Sequence, residues 1–222
     1  MASPHPEGYL PDNWLLAGRA LRGVTHGVNN HLGAILAYAE LIALSPTASA
    51  DIASMARGIS AAVRESTAQL DTVAALVSED LAAVETIHLN AALPHISNLF
   101  RFEIERAGLG LDLVLPDQVC AFPGVRTRIY RALSHVVRHA ADAMNPQRNA
   151  SKLRVRLTRT VGGFAIEVEG NSGSAEIPAS LDEARAHIAY HHGRMTCPKP
   201  GTLRIEIPQD TGLIKAGAAG AS

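Results

Sequence analysis

The sequence predicts an α + α/β protein: an antiparallel helical hairpin that dimerises into a four-helix bundle, followed by an α/β sandwich with one helical layer. Three observations predict this. Two long stretches carry apolar residues every three and four positions, and "SPTAS" joins them. After about residue 85 the pattern changes to short alternating strands interleaved with helices. A lone hairpin would also leave each apolar seam half covered, and a second copy is the natural remedy.

The 222 residues suit one large domain or two small ones, and a composition of 47% hydrophobic and 18% charged residues is that of a globular chain. A net charge of −1 gives no overall pull toward nucleic acid or membrane. The charge is uneven along the chain, however. Residues 124–160 hold nine basic side chains (Arg126, Arg128, Arg131, Arg138, Arg148, Lys152, Arg154, Arg156, Arg159) against one acid, Asp142. Cys120 and Cys197 have no ligand-like spacing and read as free thiols in a reducing compartment. With no signal pattern and no apolar run of about 18 residues, a cytoplasmic location is expected.

In chain order, residues 1–12 read as a flexible, proline-rich arm and 13–84 as the hairpin. The first helix runs from Asn13 to Leu44 and stops before Pro46; the second runs from about Asp51 to Val84. Its apolar line is Ile52, Met55, Ile59, Ala62, Ser66, Leu70, Val73, Val77 and Val84. Residues 85–208 form the α/β part. "ETIHLNAAL" is a strand entering a helix over roughly 91–107, and "LGLDLVLP" is a half-buried strand. "GVRTRIYRALSHVVRHAADAM" is a long helix, while "KLRVRLTRT" and "GFAIEVEG" are strands around Gly162–Gly163. Residues 175–200 read as a short helix, "TLRIEIP" as a last strand, and 209–222 as a disordered tail.

His26 is the residue that asks for chemistry. At about 100° per residue, Leu21, Val24, Leu32, Ile35, Ala39 and Ile42 fall within about 40° of Val28 and define a seam. His26 lies about 160° from it and faces outward. Its face carries Arg19, Arg22 and Gly23 before it, and Asn30, Gly33, Ala37 and Leu41 after it. A solvated face becomes charged away from the seam, whereas this one is basic and then small or apolar. Gly33 costs about 1 kcal/mol of helix stability relative to Ala, which suggests a compensating use. The strip reads as a docking surface made of Gly33, Ala37, Tyr38 and Leu41, with Arg19 and Arg22 above His26 for an anion.

"HGVNNHLGAILAYAELI" resembles the phosphoacceptor segment of two-component histidine kinases, whose usual form is H-E-x-N-N-P-L followed by an apolar helix. The resemblance implies that His26 is the phosphorylated histidine. Asn30 then matches the position that orients water in some kinases. Gly27 stands where that family has its activating acid, and His31 where it has a helix-bending proline. The second part is similar, more weakly, to the kinases' Bergerat-like ATPase fold. "LSHVVRHAADAM" has His135 and His139 at the two asparagine positions of that family, one of which holds Mg²⁺. Imidazole is a poor substitute for hard oxygen ligands around Mg²⁺. In "VEGNSGSAEIP", Gly170 stands for the adenine-reading aspartate, and Ser172 and Ser174 for two glycines; the later glycine-rich loop is reduced to Gly201–Thr202. His135 and His139, one turn apart, are an alternative metal-binding pair, but no third ligand is evident.

Together these features imply a degenerate ATPase domain and a kinase-derived histidine phosphotransfer protein of the ChpT type. Such a protein is a homodimer that relays phosphoryl groups between receiver-domain aspartates through His26. It has phosphotransferase activity and no ATP-dependent autokinase activity, and it needs no cofactor beyond the Mg²⁺ of the partner receiver. No nucleic acid or membrane partner is expected. The competing expectations are a non-catalytic pseudokinase that sequesters receivers or kinases, and a receiver phosphatase using Asn30.

Overall fold

The computed structural model describes residues 12–144, 152–170 and 176–213, with the side chains of 12–20 and 22–24 excepted. The expected arm therefore lies outside the described residues, apart from Asp12. The chain divides into two compact units, the first ending at Ser78 and the second beginning at Glu79.

The first unit is the hairpin of α1 (Asp12–Leu44) and α2 (Ala50–Val77). Pro46 cannot donate to a helical ladder, and the chain reverses where Ser45 N donates to Ile42 O and Ala48 N to Ser45 O. Ser49 then caps α2, its Oγ accepting from Ile52 N at 3.3 Å, with Asp51 in the positive first turn. The second helix ends at Val77, short of the expected Val84. The Asp80 carboxylate accepts from the amides of Ala82 and Ala83, both at 2.9 Å, and this turn sends the chain into a strand.

The single broad seam expected on α1 resolves into two. Toward α2 it turns Thr25 and Ala39, which are buried, and Leu21, Asn29, Leu32, Leu36 and Ala43, which are half-buried. Ala56, Ser60 and Val63 are buried on α2. The small residues there let the helices approach closely. Val28, Ile35 and Ile42, taken from sequence as seam residues, are 37%, 45% and 44% exposed, and Ile52, Met55 and Ile59 of the α2 line are exposed as well.

The second unit begins with β1 (Val84–His88), which pairs antiparallel with β3 (Ala121–Val125). Between them lie α3 (Leu89–Leu99), α4 (Arg101–Arg106) and β2 (Gly110–Val114). The helix expected over 91–107 thus starts at Leu89 and breaks at Phe100. Then come α5 (Arg126–Asp142), β4 (Lys152–Thr160), β5 (Gly163–Glu169), a 3₁₀ turn, α6 (Asp182–Tyr190), β6 (Arg194–Lys199) and β7 (Thr202–Pro208). Five strands form one sheet in the order β2-β4-β5-β7-β6, parallel only between β2 and β4.

On one face of that sheet Leu153, Val155, Leu157, Phe164, Ile166, Val168, Leu203, Ile205 and Ile207 are buried, and α3 and α5 pack against this side. Gly163 permits the tightest strand approach: a Cβ there would lie 2.1 Å from Ile207 O. The other face carries charge in cross-strand pairs. Asp112 bonds Arg154 at 2.9 Å, Arg154 faces Glu169, and Lys199 reaches Glu169 at 2.9 Å. One rung along, Glu167 bonds Arg204 at 2.7 Å, Arg204 bonds Glu206, and Glu206 bonds Arg194. Of the basic run 124–160, Arg154 is paired on this face, and Arg138 meets Asp142 along α5 at 3.5 Å. Thr211, within the expected tail, is buried and donates to Pro123 O at 2.6 Å; residues 214–222 lie outside the described residues.

Candidate functional site

Around α1, at about 100° per residue, the described side chains fall on three faces. Leu21, Thr25, Leu32, Leu36, Ala39 and Ala43 turn toward α2. About 70° away on average, on one flank, lie Val28, Ile35 and Ile42. The third face carries His26, Asn30, Gly33, Ala37 and Leu41, all exposed, Leu41 at 66%. His26 thus projects from the side that neither α2 nor the bare apolar stripe uses. A Cβ at Gly27 or Gly33 would meet nothing within 4 Å, so the strip beside the imidazole is open to a close visitor.

Tyr38 does not join this strip. It is 69% exposed but lies about 120° round the helix from His26, on the flank of Val28 and Ile35. The side chains of Arg19 and Arg22 lie outside the described residues. Asn29 turns inward, its Nδ2 donating to Asp71 Oδ1 across the hairpin at 3.4 Å, and an Arg64–Glu40 ion pair crosses the hairpin further toward the turn. Both ties limit rotation of α1 against α2 and so help keep His26 facing outward.

In the second unit, α5 places His135 and His139 on different neighbours. His135 Nε2 lies 3.7 Å from Glu183 Oε2, and His187 Nε2 lies 3.5 Å from the other oxygen of that carboxylate. His139 lines a cavity of about 210 Å³ with Ala140, Ala143, Val168, Cys197 and Thr202. Among the described residues no group of three His, Cys, Asp or Glu side chains is arranged to hold a metal ion. The cavity is smaller than the roughly 300–1,000 Å³ of ordinary ligand pockets. Gly170 closes one side of the α5 end: a Cβ there would lie 3.3 Å from Ala140 O and 3.4 Å from Met144 Cγ, and its amide donates to Gly201 O at 2.8 Å. Ser172 and Ser174 lie outside the described residues.

Sequence reasoning missed His191. It is wholly buried at the end of α6; its Nε2 accepts from Val125 N at 2.9 Å, and its Nδ1 donates to His187 O at 2.8 Å. Burial holds both His191 and His187 below the ordinary histidine range. The signal was the HAADAM-like helix neighbour "AHIAYHH", whose i, i+4 histidines fall on one helix face.

No protein-family model and no curated protein matches the sequence. Among solved structures, the chain is similar to the catalytic domain of histidine kinase ThkA, at 17% identity and a TM-score of 0.49 over 59% of this chain and 99% of that one. It is also similar to the Acinetobacter baumannii histidine kinase AdeS, at 15% identity and 0.48 over 80% and 95%. Full-length ShkA, solved in complex with AMPPNP, matches at 12% and 0.48, over 86% of this chain and 45% of that protein. These likenesses are distant, and the functional reading rests on the chain's own residues. Among the described residues no helix is long and apolar enough to cross a membrane.

Proposed function

We propose that this chain is a kinase-derived histidine phosphotransfer protein of two-component signalling, acting as a homodimer and carrying a phosphoryl group on His26 between receiver-domain aspartates. The observation that carries this reading is the exposure of His26 on an outward strip of small residues, separate from both packing faces of its helix. The motif around it supplies the chemistry. A ring nitrogen lone pair attacks the phosphorus of an aspartyl phosphate; the N–P bond forms as the P–O bond to the carboxylate breaks, and the aspartate leaves as carboxylate. The reverse step on a second receiver regenerates the imidazole. Transfer of this kind needs in-line positioning and charge neutralisation, and the receiver brings its own Mg²⁺ and lysine. Asn30, Gly33, Ala37 and Leu41 form the surface that aligns it, with Arg19 and Arg22 beside the phosphate. Tyr38 flanks that surface, about 60° round the helix from Leu41.

Independence from ATP is supported by three features of the second unit: His139 at the metal-ligating position, a cavity of only about 210 Å³, and Gly170 packed against the end of α5. The unit then serves for stability and docking.

The test is incubation with a radiolabelled, phosphorylated kinase–receiver pair. Acid-labile, base-stable label should appear on this chain and vanish in His26→Ala while binding persists. Retained cellular effect in His26→Ala would favour a sequestering pseudokinase. Loss of receiver phosphate with no label on His26 would favour a phosphatase using Asn30. Label from ATP alone would overturn the reading.

A further inference from the structure

Arg128 stands at the third position of α5, where α5, α6 and the chain entering β1 meet. Its Nε donates to Leu81 O at 2.9 Å, its guanidinium carbon lies 4.1 Å over the Tyr190 ring, and one terminal nitrogen is 3.5 Å from His187 Nδ1. His187 and Tyr190 are three residues apart on α6 and so share a face that the planar guanidinium can reach as a whole. Leu81 belongs to the segment between the end of α2 at Val77 and the start of β1 at Val84, among the first residues of the second unit. Asp80 shapes that segment by accepting from the amides of Ala82 and Ala83, but those two bonds stay within it. The bond from Arg128 fastens it to α5.

The His187 end of this arrangement accepts one protonation state. A guanidinium has five N–H donors and no acceptor, and it stays charged, so it bonds Nδ1 only through the lone pair of a neutral ring. The ring proton then sits on Nε2, 3.5 Å from Glu183 Oε1. A proton arriving on Nδ1 takes the lone pair and sets a second cation against the first. Of the groups facing the ring, Glu183 on α6 draws an imidazolium, while Arg128 and Arg131 on α5 oppose it. His135 on α5 shares the Glu183 carboxylate, and His191 at the end of α6 donates to His187 O. His187 is 6% exposed, and burial, helped by the two arginines, holds its proton affinity below the ordinary histidine value in spite of Glu183. On the segment itself, the amides of Ala82 and Ala83 hold the Asp80 carboxyl below its usual range, so Asp80 stays ionised while His187 titrates.

We propose that Arg128 is a strap fastening the segment that leads from the hairpin into the second unit, and that a proton on His187 unfastens it. Fastened, the second unit holds its chain from Leu81; unfastened, it holds it from Val84, where β1 pairs with β3. The tether between the units then gains three residues, about 10 Å of extended chain. A longer tether lets the two units move more independently. The device is separate from the reading above and uses neither His26 nor phosphoryl chemistry. Its direction follows from the ring: the strap is fastened above about pH 6.5, the unperturbed histidine value, and opens as pH falls toward the lower folded-state value.

The experiment follows amide hydrogen exchange over residues 81–84 of the full chain at about pH 7.5 and pH 5.5, on either side of the histidine range, with each rate divided by the intrinsic rate at that pH. Protection of these amides should fall several-fold at the lower pH while the amides of β5 keep theirs. His187→Asn puts an acceptor that does not titrate where Nδ1 stands, and it should hold the segment protected at both values. Arg128→Met keeps the packing of the stem and should leave the segment unprotected at both. Wild-type protection that does not change with pH, or an asparagine variant that loses it as the wild type does, overturns the proposal. So does a loss shared with β5, which is general unfolding. If His187→Asn does not fold, Arg128→Met decides at the higher pH, where protection equal to wild type overturns the strap.

Discussion

His191 holds α6 to the start of α5 with both ring nitrogens engaged, one donating and one accepting. Only the neutral ring satisfies this pattern, since a second N–H would point at the Val125 amide. Burial lowers its proton affinity, and so does the nearby positive charge of Arg128; His187 is lowered by burial too, against the pull of Glu183. A histidine whose folded-state pKa is depressed contributes stability that is complete above its unfolded value of about 6.5 and is lost as pH falls toward the folded value. The urea midpoint of the second unit should therefore drop between pH 7.5 and pH 5. That window is separate from the loss below about pH 4.5 as paired carboxylates protonate. His191→Ala should lower the midpoint at pH 7.5, because the orphaned Val125 N–H alone costs about 1–3 kcal/mol. The same variant should flatten the slope without abolishing it, since His187 remains. An unchanged slope would show that other groups set it.

Among the elements, α1 makes the sharpest demand on its sequence. Gly33 sits mid-helix with open space where a Cβ would go, so Gly33→Ala should stabilise the hairpin by about 1 kcal/mol, read as a rise in thermal midpoint. If a receiver approaches along this strip, the same change should slow phosphoryl transfer several-fold. A stabilised variant with undiminished transfer would remove Gly33 from the docking surface. The two long helices were legible in the sequence because their 3-4 periodicity is continuous and Pro46 and Ser49 mark the reversal. Their ends and faces were less so. Apolarity alone cannot divide a seam into its covered and bare halves, and Val28, Ile35 and Ile42 were read as one seam with Leu21, Leu32 and Ala39. The strand β3 escaped because "AFPGV" contains a proline and a glycine, and its last two residues were read into the helix that follows. Yet Pro123 is tolerated in a two-stranded sheet, and Gly124 is needed where Phe122, Ile87 and His191 crowd its position, with distances of 2.8, 2.9 and 3.1 Å to a built Cβ. The strand β6 escaped for a related reason: Pro198 and a register shift between Thr196 and Lys199 break its alternation. Of the candidate site, the outward setting of His26 followed from helix geometry, whereas Tyr38 was grouped with the strip by character and its angle puts it on the neighbouring flank.

At the scale of the molecule, the proposed independence from ATP has a thermal readout. A ligand at 100 times its Kd stabilises the folded state by about 2.7 kcal/mol. Millimolar ATP with Mg²⁺ should leave its thermal midpoint unshifted, which would exclude a Kd in the range of tens of micromolar or tighter. A rise of several degrees would return the unit to the nucleotide binders. Gly170→Asp should lower the midpoint rather than create an adenine contact, because the new side chain starts against Ala140 O and Met144.

The open sheet face has a consequence for recognition. From strand to strand the sign of charge alternates from Asp112 to Arg154 to Glu169, and from Glu167 to Arg204. Neighbouring strands are about 4.8 Å apart. A lattice of alternating charge has a potential that decays over a fraction of its repeat, well inside a Debye length of about 8 Å in cell-like salt. An approaching molecule would sense almost nothing from this broad surface until it touched it, so long-range guidance has to originate elsewhere on the chain.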